Sequence, residues 1–74
     1  MSIREKPTED MIRAGGVVWK RRMALGLSRR EVARRVGCVE HTLMTIEQGK
    51  REPGVFLALA IEEVLGVYPW SVRD

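Results

Sequence analysis

The sequence predicts an all-α domain, a compact bundle of four to five short helices. Three observations carry that expectation. Apolar residues recur at helical spacing in four separate segments of the 74-residue chain. Each segment closes on a glycine (Gly26, Gly37, Gly49 and Gly66), the residue type that ends a helix cheaply. No stretch alternates apolar and polar residues as a half-buried strand would, and no repeat or low-complexity tract is present.

Residues 1–10 are expected to form a mobile N-terminal arm and residues 11–74 the folded domain. Pro7 and Thr8 offer a helix start, and the first helix is placed from about Asp10 to Leu25. Gly15 and Gly16 weaken it by ~1 kcal/mol each relative to Ala, so its start alternatively falls after Gly16. Ala14, Val17, Val18 and Leu25 share its inward face, with Trp19 at the edge. The second helix is more sharply marked. Ser28 followed three residues later by Glu31 is a capping box, Val32, Ala33 and Val36 form an apolar stripe, and Gly37 ends it. Gly37, Cys38 and Val39 then lead to a third helix over Glu40 to Gln48, with Leu43 and Ile46 inward and Glu40, His41, Met44, Thr45 and Gln48 on the other face. After the charged loop Lys50-Arg51-Glu52, Pro53 and Gly54 open a fourth helix that is unusually apolar: Val55, Leu57, Leu59, Ile61, Val64 and Leu65. The tail is expected to add a further turn of helix after Pro69.

Composition narrows the function classes. A hydrophobic fraction of 45% is globular rather than disordered, although a chain this short buries only about 60% of its unfolded surface and has a thin stability margin. No apolar run approaches the roughly 20 residues of a membrane span, and the first ten residues hold no apolar segment of a secretory signal. The single cysteine, Cys38, has no intramolecular partner and reads as a small buried apolar residue, which fits a reducing cytoplasm. One Cys and one His do not make a structural zinc site, so no metal or other cofactor is expected. No nucleophile with a neighbouring base, no phosphate-binding glycine loop and no convergent acid pair points to an enzyme, and no small-molecule ligand is expected. The net charge is only +3, but seven of the thirteen Lys and Arg residues fall between Lys20 and Arg35, where Glu31 is the sole acid. Glu62 and Glu63 make the other half locally acidic. That polarity suits an oriented polyanion; a plain solvated helix surface is the alternative.

Two short helices joined by a tight, glycine-containing turn are the signature of a helix-turn-helix. The stretch Gly26-Leu27-Ser28-Arg29-Arg30-Glu31-Val32-Ala33-Arg34-Arg35-Val36-Gly37-Cys38 resembles the second helix and turn of the phage-repressor and Cro-like (XRE-type) regulators. Thr42-Leu43-Met44-Thr45-Ile46-Glu47-Gln48-Gly49-Lys50-Arg51-Glu52-Pro53 is similar to that family's recognition helix and exit loop, and Leu65-Gly66-Val67 matches the end of its fourth helix. The resemblance covers about Ala14 to Val67; each fragment alone is weak, and the combination is specific. It implies a lambda-repressor-like DNA-binding fold and double-stranded DNA as the partner.

The resemblance also implies residue roles. Arg22 sits where a family arginine pairs with the glutamate matching Glu47, a structural tie between the first and third helices. Arg29 matches a phosphate-contacting position and Arg30 follows it, both at a helix N-terminus where positive charge is unfavourable unless an anion docks; two solvated arginines are the alternative. Glu40, His41 and Thr45 match positions that reach base edges in the major groove, with Met44 beside them. Glu40 alternatively serves its own helix N-terminus. Gln48, Lys50 and Arg51 fall where backbone contacts are expected. Two positions depart from the family pattern. Val39 stands where a Ser or Thr cap is usual, a deficit of roughly 1 kcal/mol that leaves the start of the recognition helix open by one position. Arg21 replaces an apolar residue, whose space Trp19 is expected to fill.

The reading is a sequence-specific transcriptional regulator, a repressor that binds a pseudo-palindromic operator as a homodimer, of the kind found in phages and mobile elements. Phe56, Tyr68, Trp70 and Val72 are candidate dimer-interface residues, because so short a chain does not readily hide the whole fourth helix and tail; burial in the chain's own core is the alternative. A competing reading is an antitoxin or co-regulator whose helix-turn-helix serves autoregulation while another surface binds a partner protein.

Overall fold

The computed structural model describes residues 8–70, so Val72 and residues 1–7 of the N-terminal arm lie outside it. Within the described residues the chain forms four helices and no strand: α1 (Glu9–Ala24), α2 (Arg29–Val36), α3 (Glu40–Glu47) and α4 (Val55–Leu65). Helix α1 starts at Glu9, one residue before the expected Asp10, and runs unbroken through Gly15 and Gly16. Its start is local chemistry. The Thr8 hydroxyl accepts from the Met11 amide at 3.1 Å, and Glu9 and Asp10 in the first turn oppose Arg21 and Arg22 in the last, the order the helix dipole favours. Ser28 caps α2 in the same way, accepting from the Glu31 amide at 3.0 Å. The expected reciprocal arm of that capping box is a correction: the Glu31 carboxylate accepts instead from Arg34 and Arg35, each at 2.6 Å, which holds its pKa below the usual carboxylate range.

Each of the four helices leaves one face in a common core of Val18, Val32, Ala33, Leu43, Ile46, Ile61 and Leu65. Helix α1 packs on α3 and α4, and α2 packs on the same two, so α3 is held from both sides. Two expectations for α1 fail. Leu25 is 44% exposed, because α1 ends one residue earlier and Leu25 already belongs to the turn. Trp19 does not fill the space near Arg21, as it is itself 46% exposed. Arg21 instead lies along the surface and donates from Nε to the Leu65 carbonyl at 2.8 Å, satisfying one of the open acceptors at the end of α4. The tail is tied down at its other end: Trp70 donates its indole N–H to the Pro53 carbonyl at 3.1 Å, and Pro69 and Trp70 form a turn.

The contact between α1 and α3 depends on a missing side chain. A Cβ on Gly15 would overlap the Ile46 carbonyl oxygen and lie 2.8 Å from that of Glu47. Its neighbour Gly16 has nothing within 4 Å of the same position. The two glycines look equivalent in sequence and are opposite in structure.

Candidate nucleic-acid interface

The α2-turn-α3 unit is set by backbone hydrogen bonds. Gly37 adopts φ +95°, and the amides of Gly37 and Cys38 both donate to the Ala33 carbonyl, at 2.8 and 2.9 Å. A side chain with a Cβ would be strained there. Cys38 packs against the core from within this turn, and burial pushes its thiol pKa up, away from reactivity.

The far end of α3 is locked by charge. Arg22, on α1, donates to Glu47 from Nε at 2.6 Å and from Nη2 at 3.0 Å, and its Nη1 donates to the Leu27 carbonyl at 2.9 Å. Both side chains are nearly fully buried, at 7% and 3% exposure. The hydrogen-bonded Glu47 carboxylate raises the Arg22 pKa further above its already high ordinary value, outweighing the opposing effect of burial. Arg29, the first residue of α2, adds a third arm, donating from Nε to Glu47 at 3.3 Å. One buried carboxylate thus joins α1, α2 and α3, with two guanidiniums around it. Arg29 as a second partner of Glu47 is not among the expected roles; the basic residue at the start of α2 is the only signal for it in the sequence.

The start of α3 is free by contrast. Val39 is 66% exposed and supplies no capping hydrogen bond. Glu40 and His41 are exposed, while Met44 and Thr45 are half-buried on the same outward face. The Thr45 hydroxyl donates to the Thr42 carbonyl at 2.8 Å, leaving its oxygen lone pairs and methyl group to the outside. Helix α3 ends at Glu47, one residue short of the expected Gln48, which becomes the cap. The amides of Lys50 and Arg51 both donate to the Thr45 carbonyl, at 2.9 and 3.2 Å, so the exit loop is fixed while Gln48, Lys50 and Arg51 stay exposed. Arg30 is exposed on α2. The structure therefore brings Arg29, Arg30, the outward face of α3 and the Lys50-Arg51 loop onto one connected unit.

The interface candidates separate. Phe56 is 88% exposed, beside Leu59 at 49% and Val55 at 64%. Tyr68 and Trp70 are half-buried, and Trp70 spends its N–H on the loop before α4. Among the described residues no cluster of three or more His, Cys, Asp or Glu is placed to hold a metal, and no helix is long and apolar enough to cross a membrane.

Comparison with known proteins gives a consistent result. Residues 13–72 match the helix-turn-helix domain family. An uncharacterised HTH-type transcriptional regulator of Methanothermobacter thermautotrophicus is 36% identical over 50 residues, covering 68% of this chain and 72% of the relative. Among solved structures, the restriction-modification controller protein C.AhdI from Aeromonas hydrophila superposes with a TM-score of 0.78 at 24% identity, over 84% of this chain and 94% of that one. The clp gene regulator ClgR from Corynebacterium glutamicum superposes with a TM-score of 0.76 at 22% identity, over 86% of this chain and 82% of that one. At these identities the structural likeness is one of fold.

Proposed function

This chain belongs to the helix-turn-helix domain family, of the phage-repressor and Cro-like type, and from that premise we propose that it is a sequence-specific transcriptional repressor. Helix α3 enters the major groove of double-stranded DNA. The observation that carries this reading is the asymmetry of α3: its inner end is clamped by Arg22 and Arg29 through Glu47, while Glu40 and His41 at its other end stand exposed. A helix held rigidly at one end and bare at the other suits base readout. Glu40 accepts from a cytosine amino group, His41 donates or accepts, and Met44 and the Thr45 methyl touch thymine. Arg29, Arg30, Gln48, Lys50 and Arg51 contact phosphates. Glu47 leaves Arg29 further guanidinium N–H groups for that purpose.

The active species is a homodimer on a pseudo-palindromic operator, each α3 taking one half-site. The apolar patch at Phe56 and Leu59 supports that assignment, as exposed apolar clusters of this kind mark association surfaces. Selection of bound sequences from random duplexes tests the reading. His41→Ala should relax base preference at one pair, at a cost of about 1–3 kcal/mol. Lys50→Ala should weaken all sequences alike and lower the salt slope by about one. A chain that binds no duplex preferentially at low salt overturns it.

A further inference from the structure

A shallow depression between α1 and α3 is lined by Ile12, Gly16, Trp19, Arg29, Glu47 and Gln48. Ile12, Gly16 and Trp19 share one face of α1, and the open space above Gly16 keeps the floor of the depression clear. Ile12 and Trp19 leave 53% and 46% of their surfaces exposed. Their chemistry is mixed with charge, since Arg29 and Gln48 line the same depression. Glu47 adds little negative field to the surface: its side chain is 3% exposed and held by two arginines. The two tryptophans also differ in their polar handle. The Trp70 indole N–H is used by the Pro53 carbonyl, whereas the Trp19 N–H has no partner among the described residues. An apolar wall, a cation, an amide and a free neutral donor together match one repeating unit of a nucleic-acid backbone, an apolar sugar face joined to an anionic phosphate.

We propose that Trp19 is a further DNA-backbone contact, its indole N–H donating to the phosphate that Arg29 approaches and its ring lying against the adjoining deoxyribose. The inference rests on the reading of α3 as the recognition helix, because that reading puts Arg29 and Gln48 on the phosphates. It extends the footprint from the helix-turn-helix onto α1. A neutral donor carries a distinctive signature: it adds affinity without displacing a counterion, so it leaves the salt dependence unchanged.

The test uses the full chain, a labelled duplex of random sequence and a selected operator, with binding followed by anisotropy over a salt series. Trp19→Phe keeps the ring and removes the donor, and should weaken both duplexes about tenfold with an unaltered salt slope. Trp19→Ala should weaken them further. Melting curves of both variants should stay near wild type, since the side chain is half exposed. Equal affinity of Trp19→Phe, Trp19→Ala and wild type overturns the proposal and leaves the assignment of α3 standing. A loss confined to the operator also overturns it, because it places Trp19 on a base. If the wild-type chain binds neither duplex, the α3 reading fails and this proposal fails with it.

Discussion

The two ends of α3 lie about two turns apart and are built on opposite terms. At the inner end, Glu47 is buried between Arg22 and Arg29, and Gly15 lets α1 approach the last carbonyls at close range. At the outer end Val39 gives no cap, and Glu40 and His41 face outward. Buried and over-determined contacts resist change, while an uncapped first turn is the part most easily displaced. The difference teaches that one short helix can be fixed in place at one end and left exposed at the other, which under the proposed function separates positioning from readout. The inner end fixes where α3 lies in the bundle. The outer end has no such fixing contact, and in the proposed complex DNA phosphates or bases would supply what Val39 does not.

Breaking the inner end should have the largest effect. Glu47→Ala leaves the buried Arg22 guanidinium without its partner, and removal of one member of a buried pair costs about 3–5 kcal/mol. For a domain of this size that is most of the folding free energy, so the variant should be largely unfolded by circular dichroism at room temperature. A melting temperature within a few degrees of wild type would show that packing alone holds this end.

The glycine pair sharpens the same contact. Gly15→Ala drives a methyl group into the backbone of α3 and should cost about 1–3 kcal/mol, as overpacking does. Gly16→Ala meets open space and should gain up to about 1 kcal/mol from helix propensity. Denaturation midpoints moving in opposite directions are the expected result. Equal shifts would mean that α1 does not approach α3 as closely as the carbonyl contacts require.

The smallest effect is expected at the outer end. Val39→Ser supplies the missing acceptor and gives up a side chain that is already 66% exposed, for a gain of about 1 kcal/mol. Amide hydrogen exchange should then slow in the first turn of α3 and stay unchanged near Glu47. If protection rises along the whole helix, the two ends are not independent.

Much of the scaffold was legible from local chemistry. Ser28 before Glu31 marked the start of α2, Gly37 marked its end, and the spacing of Leu43 and Ile46 marked the inward face of α3. Such signals act over three or four residues and need no knowledge of the rest of the chain. The site was less legible. The role assigned to Arg22 and Glu47 came from family resemblance, since nothing local links residues 25 apart in sequence. Trp19 was assigned to fill a space beside Arg21, because periodicity places a residue at the edge of a face without saying what lies beyond it.

By itself, then, the sequence determined the four helical segments, their ends to within about a residue, the tight turn at Gly37 and the uncapped start of α3 at Val39. These follow from caps, glycines and apolar spacing, whose energetics are settled within a turn or two. Tertiary structure alone decided which glycine of the Gly15-Gly16 pair is indispensable, that Arg29 joins Arg22 on Glu47, that Arg21 closes the end of α4, and that Trp19 and Phe56 remain exposed while Ile61 is fully buried. Each of those outcomes depends on how helices distant in sequence meet, and the angle and depth of that meeting are properties of the assembled core rather than of any one segment.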